Sequence, residues 1–273
     1  MKMILSGLRT FVAAAVLAGC ATSPMGRKQL ILVPDGQMDS MGVQAFSQMK
    51  AQQPIDRGKA VNAYVRCVAL AVAEAAKGQT SRTAWEVVVF RDPTANAFAL
   101  PGGKIGVHTG ILPVASTPGQ LAAVLGHEVG HVIARHGNER VSQGFVTQYG
   151  IAALGEAISG KGAQGGNQGL AVGLLGLGAQ FGVLLPFSRK HESEADLIGL
   201  GLMARAGFDP REAVALWKNM AKSGGGQPPE FMSTHPSHET RISDIEANLP
   251  PAIADYERAK AGGKHPACKA LKG

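Results

Sequence analysis

The sequence predicts an α+β fold, mostly helical, with a small β-sheet packed beside one helix that carries two histidines one turn apart. Three observations predict it. Residues 117–136 combine helix-start signals with the pattern HEVGH at His127, Glu128 and His131. Three short runs at 85–90, 96–100 and 104–108 precede that helix and are bounded by turn residues, the signature of strands. Capped, helix-periodic segments fill most of the remainder.

The elements follow in chain order. Lys2 and Arg9 precede an apolar stretch, 11–18, that is too short to span a bilayer, and Leu17-Ala18-Gly19-Cys20 comes next. LAGC resembles the bacterial lipobox, which implies that residues 1–19 are a signal peptide and that Cys20 is acylated; the alternative is an ordinary secretory signal with a coincidental cysteine. Several acyl chains would anchor the protein where one would not. Ala21, where an aspartate would favour the inner membrane, implies the outer one. Residues 20–34 read as a lipidated tether, 35–250 as one catalytic domain and 251–273 as a C-terminal tail.

Loss of Lys2 and Arg9 takes the formal charge from +7 to +5. No Arg/Lys run or aromatic interleaving accompanies it, so a nucleic-acid partner is not expected and a solvated basic surface accounts for the charge. With 36 glycines and aromatics at 5%, the core is expected to be built from Ala, Val and Leu. Cys67 and Cys268 are a candidate disulfide if the compartment is oxidising, and two buried thiols otherwise.

Residues 35–50 and 58–77 read as helices, the second with Val61, Val65, Val68 and Val72 on one side. The strands 96–100 and 104–108 flank Pro101-Gly102-Gly103. An edge strand containing Asn96, Ala97, Phe98 and Ala99 can pair with an extended substrate through main-chain hydrogen bonds; a plain hairpin is the alternative. Thr117, Pro118 and Gln120 supply a cap, a first-turn proline and the far member of a capping box. Leu121, Leu125 and Val132 give the helix a buried face, and Gly137 is expected to end it.

A helix at 139–158 and a Gly-rich loop at 160–169 lead into the apolar run 170–187. Its four glycines, Gln180 and Pro186 argue against a membrane span and for an apolar element beside the site. Ser188 caps a helix to about 206, ended by Gly207, and Asp209-Pro210-Arg211-Glu212 reads as a capping box for a helix to 222. Residues 223–233 read as a flexible linker and 236–248 as a short helix.

His127 and His131 stand one helical turn apart and can ligate one zinc ion. Glu128, beside the first ligand, is placed to act as general base on a water. A third ligand is expected near 188–199, where Glu192 and Asp196 share a helix face; Glu192 would bind metal and Asp196 would orient a ligating histidine. Glu194 is the rival. His235 has three readings: oxyanion stabiliser, a fourth ligand that gates the metal, or a loop anchor. His108, His191, His238 and His265 read as surface or structural residues.

HEVGH, SRKHESEAD, STHPSHETRI and the upstream NAFALPGGKIGVHTGIL, in that order over residues 30–249, resemble the HtpX/BepA/Oma-type gluzincin metallopeptidases, most closely their small lipoprotein members. The resemblance implies a zincin-like domain with Glu192 as third zinc ligand and Asp196 as its partner. It also implies a substrate-pairing strand at NAFALPGG, a histidine lid at His235, a role for Arg241 beside it, and His136 as part of the metal-helix motif. The function implied is a zinc-dependent endopeptidase at the periplasmic face of the outer membrane, held there by lipid, that degrades misfolded or stalled envelope proteins. Partners would be those substrates, the membrane and, as for BepA, the outer-membrane assembly machinery, although no C-terminal repeat domain is seen here. One alternative is a metal-binding chaperone or assembly factor with little proteolysis, against which an intact Glu128 argues. The other is an integral membrane protease, if 170–187 spans.

Overall fold

In the computed structural model of the chain, residues 20–80, 84–159, 187–223, 230–235 and 240–271 are described. The elements are β1 (Cys20–Thr22), β2 (Lys28–Leu30), α1 (Asp35–Gln52), α2 (Lys59–Ala75), β3 (Glu86–Phe90), β4 (Ala97–Leu100), β5 (Lys104–His108), α3 (Pro118–Ile133), α4 (His136–Ser159), α5 (Arg189–Arg205), α6 (Arg211–Ser223), α7 (Glu230–Thr234), α8 (Arg241–Ala247) and α9 (Leu249–Ala261). The fold is α+β and mostly helical. Where one domain was expected from 35 to 250, the described residues divide into two compact units: 20–38 with 135–159, and 39–134 with those from 187 onward.

In the first unit, the stretch expected as a plain tether holds an antiparallel hairpin with Ala21 opposite Gln29. Ser23 and Gly26 close its turn, Gly26 at φ 83, a left-handed conformation that glycine adopts without a steric penalty. Three-residue strands are too short to show a period, so only the turn residues betray them. Glu139 of α4 accepts from both Arg27 (2.8 and 2.6 Å) and Gln29 (3.1 Å), which fixes the hairpin on that helix.

In the second unit the sheet has the order β3-β5-β4, with β3 parallel and β4 antiparallel to β5, so β4 is an edge strand. Val87, Val89, Ile105 and Val107 bury one face with Val65, Val68 and Val72 of α2. Apolar burial of this kind supplies most of the driving force for the fold. Thr117 Oγ1 accepts from the Gln120 N–H at 3.1 Å and starts α3 as the sequence predicts. Gln120 Oε1, however, accepts from the Ser116 N–H rather than from that of Thr117. The helix ends at Ile133, with Arg135 at φ 57, and Gly137 lies inside α4 instead of terminating α3.

α3 packs against both β4 and α5. The crossing with α5 is close because glycines face it. A Cβ on Gly199 would lie 2.6 Å from the His127 amide nitrogen, and one on Gly130 would lie 2.9 Å from the Ala195 carbonyl oxygen. No side chain fits there, so Gly199→Ala is expected to force the helices apart, lowering stability by about 1–3 kcal/mol. Thermal unfolding and metal content of the purified variant check this, since the same crossing sets the metal ligands.

Ser188 caps α5 by accepting from the His191 N–H at 3.3 Å, and Gly207 follows its end at φ 88. The predicted box before α6 does not close on itself. Asp209 accepts from Arg211, whereas Glu212 accepts from the Thr117 hydroxyl at 3.0 Å and so ties α6 to the start of α3. Part of the expected linker is helical, as α7, and the expected tail contains α9, which packs on α5. Pro250 sits in the first turn of α9, where its missing N–H costs nothing. The loop 160–169 and the apolar run 170–187, apart from Phe187, lie outside the described residues. No helix among the described residues is long and apolar enough to cross a membrane.

Cys67 of α2 is bonded to Cys268, 201 positions away. Closing so long a loop removes much entropy from the unfolded chain. Replacing both cysteines by alanine is expected to cost up to about 5 kcal/mol, read from the midpoint of urea unfolding.

Candidate metal centre

His127 and His131 lie on α3, Glu192 on the first turn of α5, and His235 directly after α7. One ligand atom from each falls within 4.8 Å of all the others, and all four residues are buried. Three close elements therefore supply the cluster. His127 Nε2 lies 3.0 Å from His131 Nε2 and 3.4 Å from Glu192 Oε2, while His131 Nε2 lies 3.4 Å from Glu192 Oε1. His235 Nδ1 completes the group at 3.1 Å from both Glu192 Oε1 and His127 Nε2.

These spacings fit a metal. Zinc bonds of about 2.0–2.1 Å in a tetrahedron place ligand atoms about 3.3–3.4 Å apart. The donor chemistry agrees. Asp196 Oδ1 lies 2.8 Å from His127 Nδ1, so that nitrogen donates and Nε2 turns its lone pair toward the centre. Converging lone pairs and a carboxylate, all buried, need a cation or protons between them.

Arg241 of α8 holds the outer side. It is 1% exposed, donates to Glu192 Oε2 at 3.0 Å and to Asp196 Oδ1 at 2.7 Å, and its guanidinium lies 3.5 Å from the centre of the Trp217 ring. The guanidinium fork thus joins a metal-binding carboxylate to the one that orients His127.

Glu128 sits next to the cluster without joining it. Burial pushes its carboxyl above the ordinary range, against the His235 and His127 imidazoles, with the Glu192 charge raising it further and the Ala99 amide of β4 lowering it. Oε1 is buried with no hydrogen-bond partner and lies 3.3 Å from His235 Nε2. For Glu192, burial works toward a higher pKa, yet the surrounding imidazoles, His127 foremost, hold it well below the usual carboxylate range.

The structure thus brings together His127, His131, Glu128, Glu192, Asp196 and His235, and sets Ala97, Phe98 and Ala99 in an edge strand that follows Asn96 and whose Ala99 amide reaches Glu128. Glu194 is buried but is not part of the cluster. His136 is fully buried on α4, and Cys20 opens β1. His108 is buried against Thr94, at 2.8 Å from its hydroxyl, His191 is buried on α5, and His265 is exposed; His238 lies outside the described residues. Three aromatic residues at the centre, Phe187, Trp217 and Phe231, escape the sequence reading. Their contacts join positions far apart in the chain, so no local period marks them.

A sequence profile of peptidase family M48 matches residues 59–249. The mitochondrial metalloendopeptidase OMA1 of Schizosaccharomyces pombe is 46% identical over 177 residues, covering 63% of this chain and 49% of that protein. OMA1 of Saccharomyces cerevisiae is 39% identical over 183 residues, covering 64% and 50%. The beta-barrel assembly-enhancing protease of Escherichia coli is 26% identical over 238 residues, covering 85% and 48%. The chain spans about half the length of these relatives. They support the resemblance at the level of the family, through its Oma and BepA members rather than the small lipoproteins. They also correct the expected location. The OMA1 relatives are mitochondrial proteins, which overturns the assignment to the periplasmic face of a bacterial outer membrane.

Proposed function

The chain belongs to peptidase family M48, and on that premise we propose that it is a zinc-dependent endopeptidase that cleaves unfolded, misfolded or stalled polypeptides. The observation that carries this reading is Glu128 Oε1: a buried carboxylate oxygen without a hydrogen-bond partner, beside a four-residue metal cluster. Such an atom calls for an explanation, and a base awaiting its water supplies one.

His127, His131 and Glu192 would hold the zinc ion, whose Lewis acidity would be available to the scissile carbonyl and to a nearby water. Glu128 takes the proton from that water as the water attacks, and delivers it to the leaving amine. Burial raises the pKa of Glu128, which makes it a stronger base than an exposed carboxylate. Asp196 fixes the tautomer and direction of His127, and Arg241 holds Glu192 and Asp196 in register. The β4 edge binds an extended segment by main-chain hydrogen bonds, which selects for unfolded chain over any particular side chain.

His235 gates the centre in this reading. Its Nδ1 reaches two of the ligands and its Nε2 reaches Glu128, so it occupies the position a substrate carbonyl and water need. His235→Ala is expected to raise basal cleavage several-fold; a fall in kcat would instead make it an oxyanion stabiliser. Acylation of Cys20 is part of the same proposal, tested by incorporation of labelled fatty acid and its loss in Cys20→Ala.

The substrate class is tested with one protein in two states. Reduced, carboxymethylated α-lactalbumin should be cut at many sites and the native, disulfide-bonded form spared. Equal cleavage of both would remove the edge-strand argument.

A further inference from the structure

Four aromatic rings pack against one another at the metal centre. Phe231 lies on His235 with centroids 4.5 Å apart and planes 24° apart, and His235 lies on Phe187 at 5.3 Å and 24°. Phe187 in turn lies on His131 at 3.9 Å and 29°. Two of these rings are imidazoles of the cluster. These imidazoles lie 5.0 Å apart, and the two phenyl rings packed on them have no part in the chemistry described above.

The two phenylalanines are held differently. Phe231 is fully buried, its N–H donates to the Ala95 carbonyl at 3.1 Å, and its own carbonyl accepts from the His235 N–H at 2.9 Å. It is a fixed wall. Phe187 is only half-buried and is the residue before the Ser188 cap of α5. An apolar residue at that position ordinarily packs onto the first turns of its own helix. Here the Phe187 ring meets His191 of α5 edge-on, 6.2 Å away, and gives its face to His131 and His235. Its N–H donates to the Thr234 carbonyl at 3.0 Å, so the backbone beside His235 is tied to the same residue.

The outer torsion of a histidine side chain is broad, so the plane of its ring is set by what lies on its faces. For His235 those are Phe231 and Phe187. We propose that Phe187 is a positioning residue that holds His235 in the metal centre, covering the ring face that Phe231 leaves open and so aiming Nδ1 at His127 and Glu192. Because Phe187 also lies on His131, whose ring is 5.0 Å from that of His235, one phenyl ring packs on both the gating histidine and a metal ligand. The proposal rests on the reading of His235 as a gate.

The test compares wild type, Phe187→Leu, His235→Ala and the double variant in full-length protein. Two readouts are taken: kcat/KM for an unfolded fluorescent casein, and the visible absorption of the cobalt-substituted protein, which reports how many nitrogens bind the metal. A stacked pair contributes enough that losing one face should raise kcat/KM about 3- to 10-fold. The Phe187→Leu cobalt spectrum should shift toward that of His235→Ala, and Phe187→Trp, which restores a flat ring, should return rate and spectrum toward wild type. In the His235→Ala background the second substitution should add nothing, because its target is gone. A wild-type spectrum in Phe187→Leu overturns the proposal, as does an undiminished effect of that substitution in the His235→Ala background. If His235→Ala itself fails to accelerate cleavage, the gate reading falls. The cobalt spectrum of Phe187→Leu then still decides whether Phe187 holds the imidazole in place.

Discussion

Glu128→Gln is expected to lower kcat on an unfolded substrate by about 10²–10⁴-fold with metal content and stability unchanged. The substitution keeps the shape of the side chain and an oxygen for the Ala99 amide, but removes the basic site. Glu128 is not in the metal cluster, so the ion should stay; the buried, unpartnered Oε1 is the atom whose loss matters. kcat is measured alongside zinc by atomic absorption. A variant with wild-type kcat would place the base elsewhere, and one that had lost zinc would make Glu128 a ligand.

Arg241→Met should produce a large loss of stability, about 3–5 kcal/mol in metal-free protein, because removing one partner leaves buried charge uncompensated. Two carboxylates depend on this guanidinium, Glu192 at 3.0 Å and Asp196 at 2.7 Å, and none of the three groups is solvated to any extent. Arg241→Lys should recover only part of the loss, since one ammonium cannot reproduce the planar fork or the face-on contact with Trp217. Zinc should restore part of the remainder by mass action, as it binds only the folded form. Urea unfolding of wild type and both variants, with chelator and with zinc, measures all three terms. Equal stability of Arg241→Met and wild type would mean that one of the carboxylates is protonated in the metal-free fold.

The metal centre was legible in the sequence wherever its geometry is local. His127 and His131 reveal themselves by one turn of helix, Glu192 and Asp196 by another, and Thr117 and Ser188 mark where those helices begin. The strands 86–90, 97–100 and 104–108 follow from apolar runs broken by turn residues. Spacing favours Glu192, which shares a helix face with Asp196, over Glu194, and the family resemblance points to the same residue. The structure separates them by orientation: Glu192 meets both imidazoles and Arg241.

What the sequence hid is of two kinds. Gly137 looks like a helix end, but Arg135 takes the left-handed conformation first, and only tertiary context decides which residue does so. Likewise α9 begins at two prolines that read as a break until its packing on α5 is known. The second kind is long-range contact. Phe187, Phe231 and Trp217 look like ordinary core residues, and the ring cluster and the Arg241 stack exist only after the chain has brought them together.

The measurement that tests the central claim most directly is casein cleavage by the purified full-length protein, before chelation, after removal of metal with 1,10-phenanthroline, and after zinc is returned. The account predicts fragments that stop appearing on chelation, reappear with zinc and are absent throughout in Glu128→Gln. Cleavage that persisted in metal-free protein or in Glu128→Gln would contradict it, as would the absence of cleavage by both the zinc-loaded wild type and zinc-loaded His235→Ala.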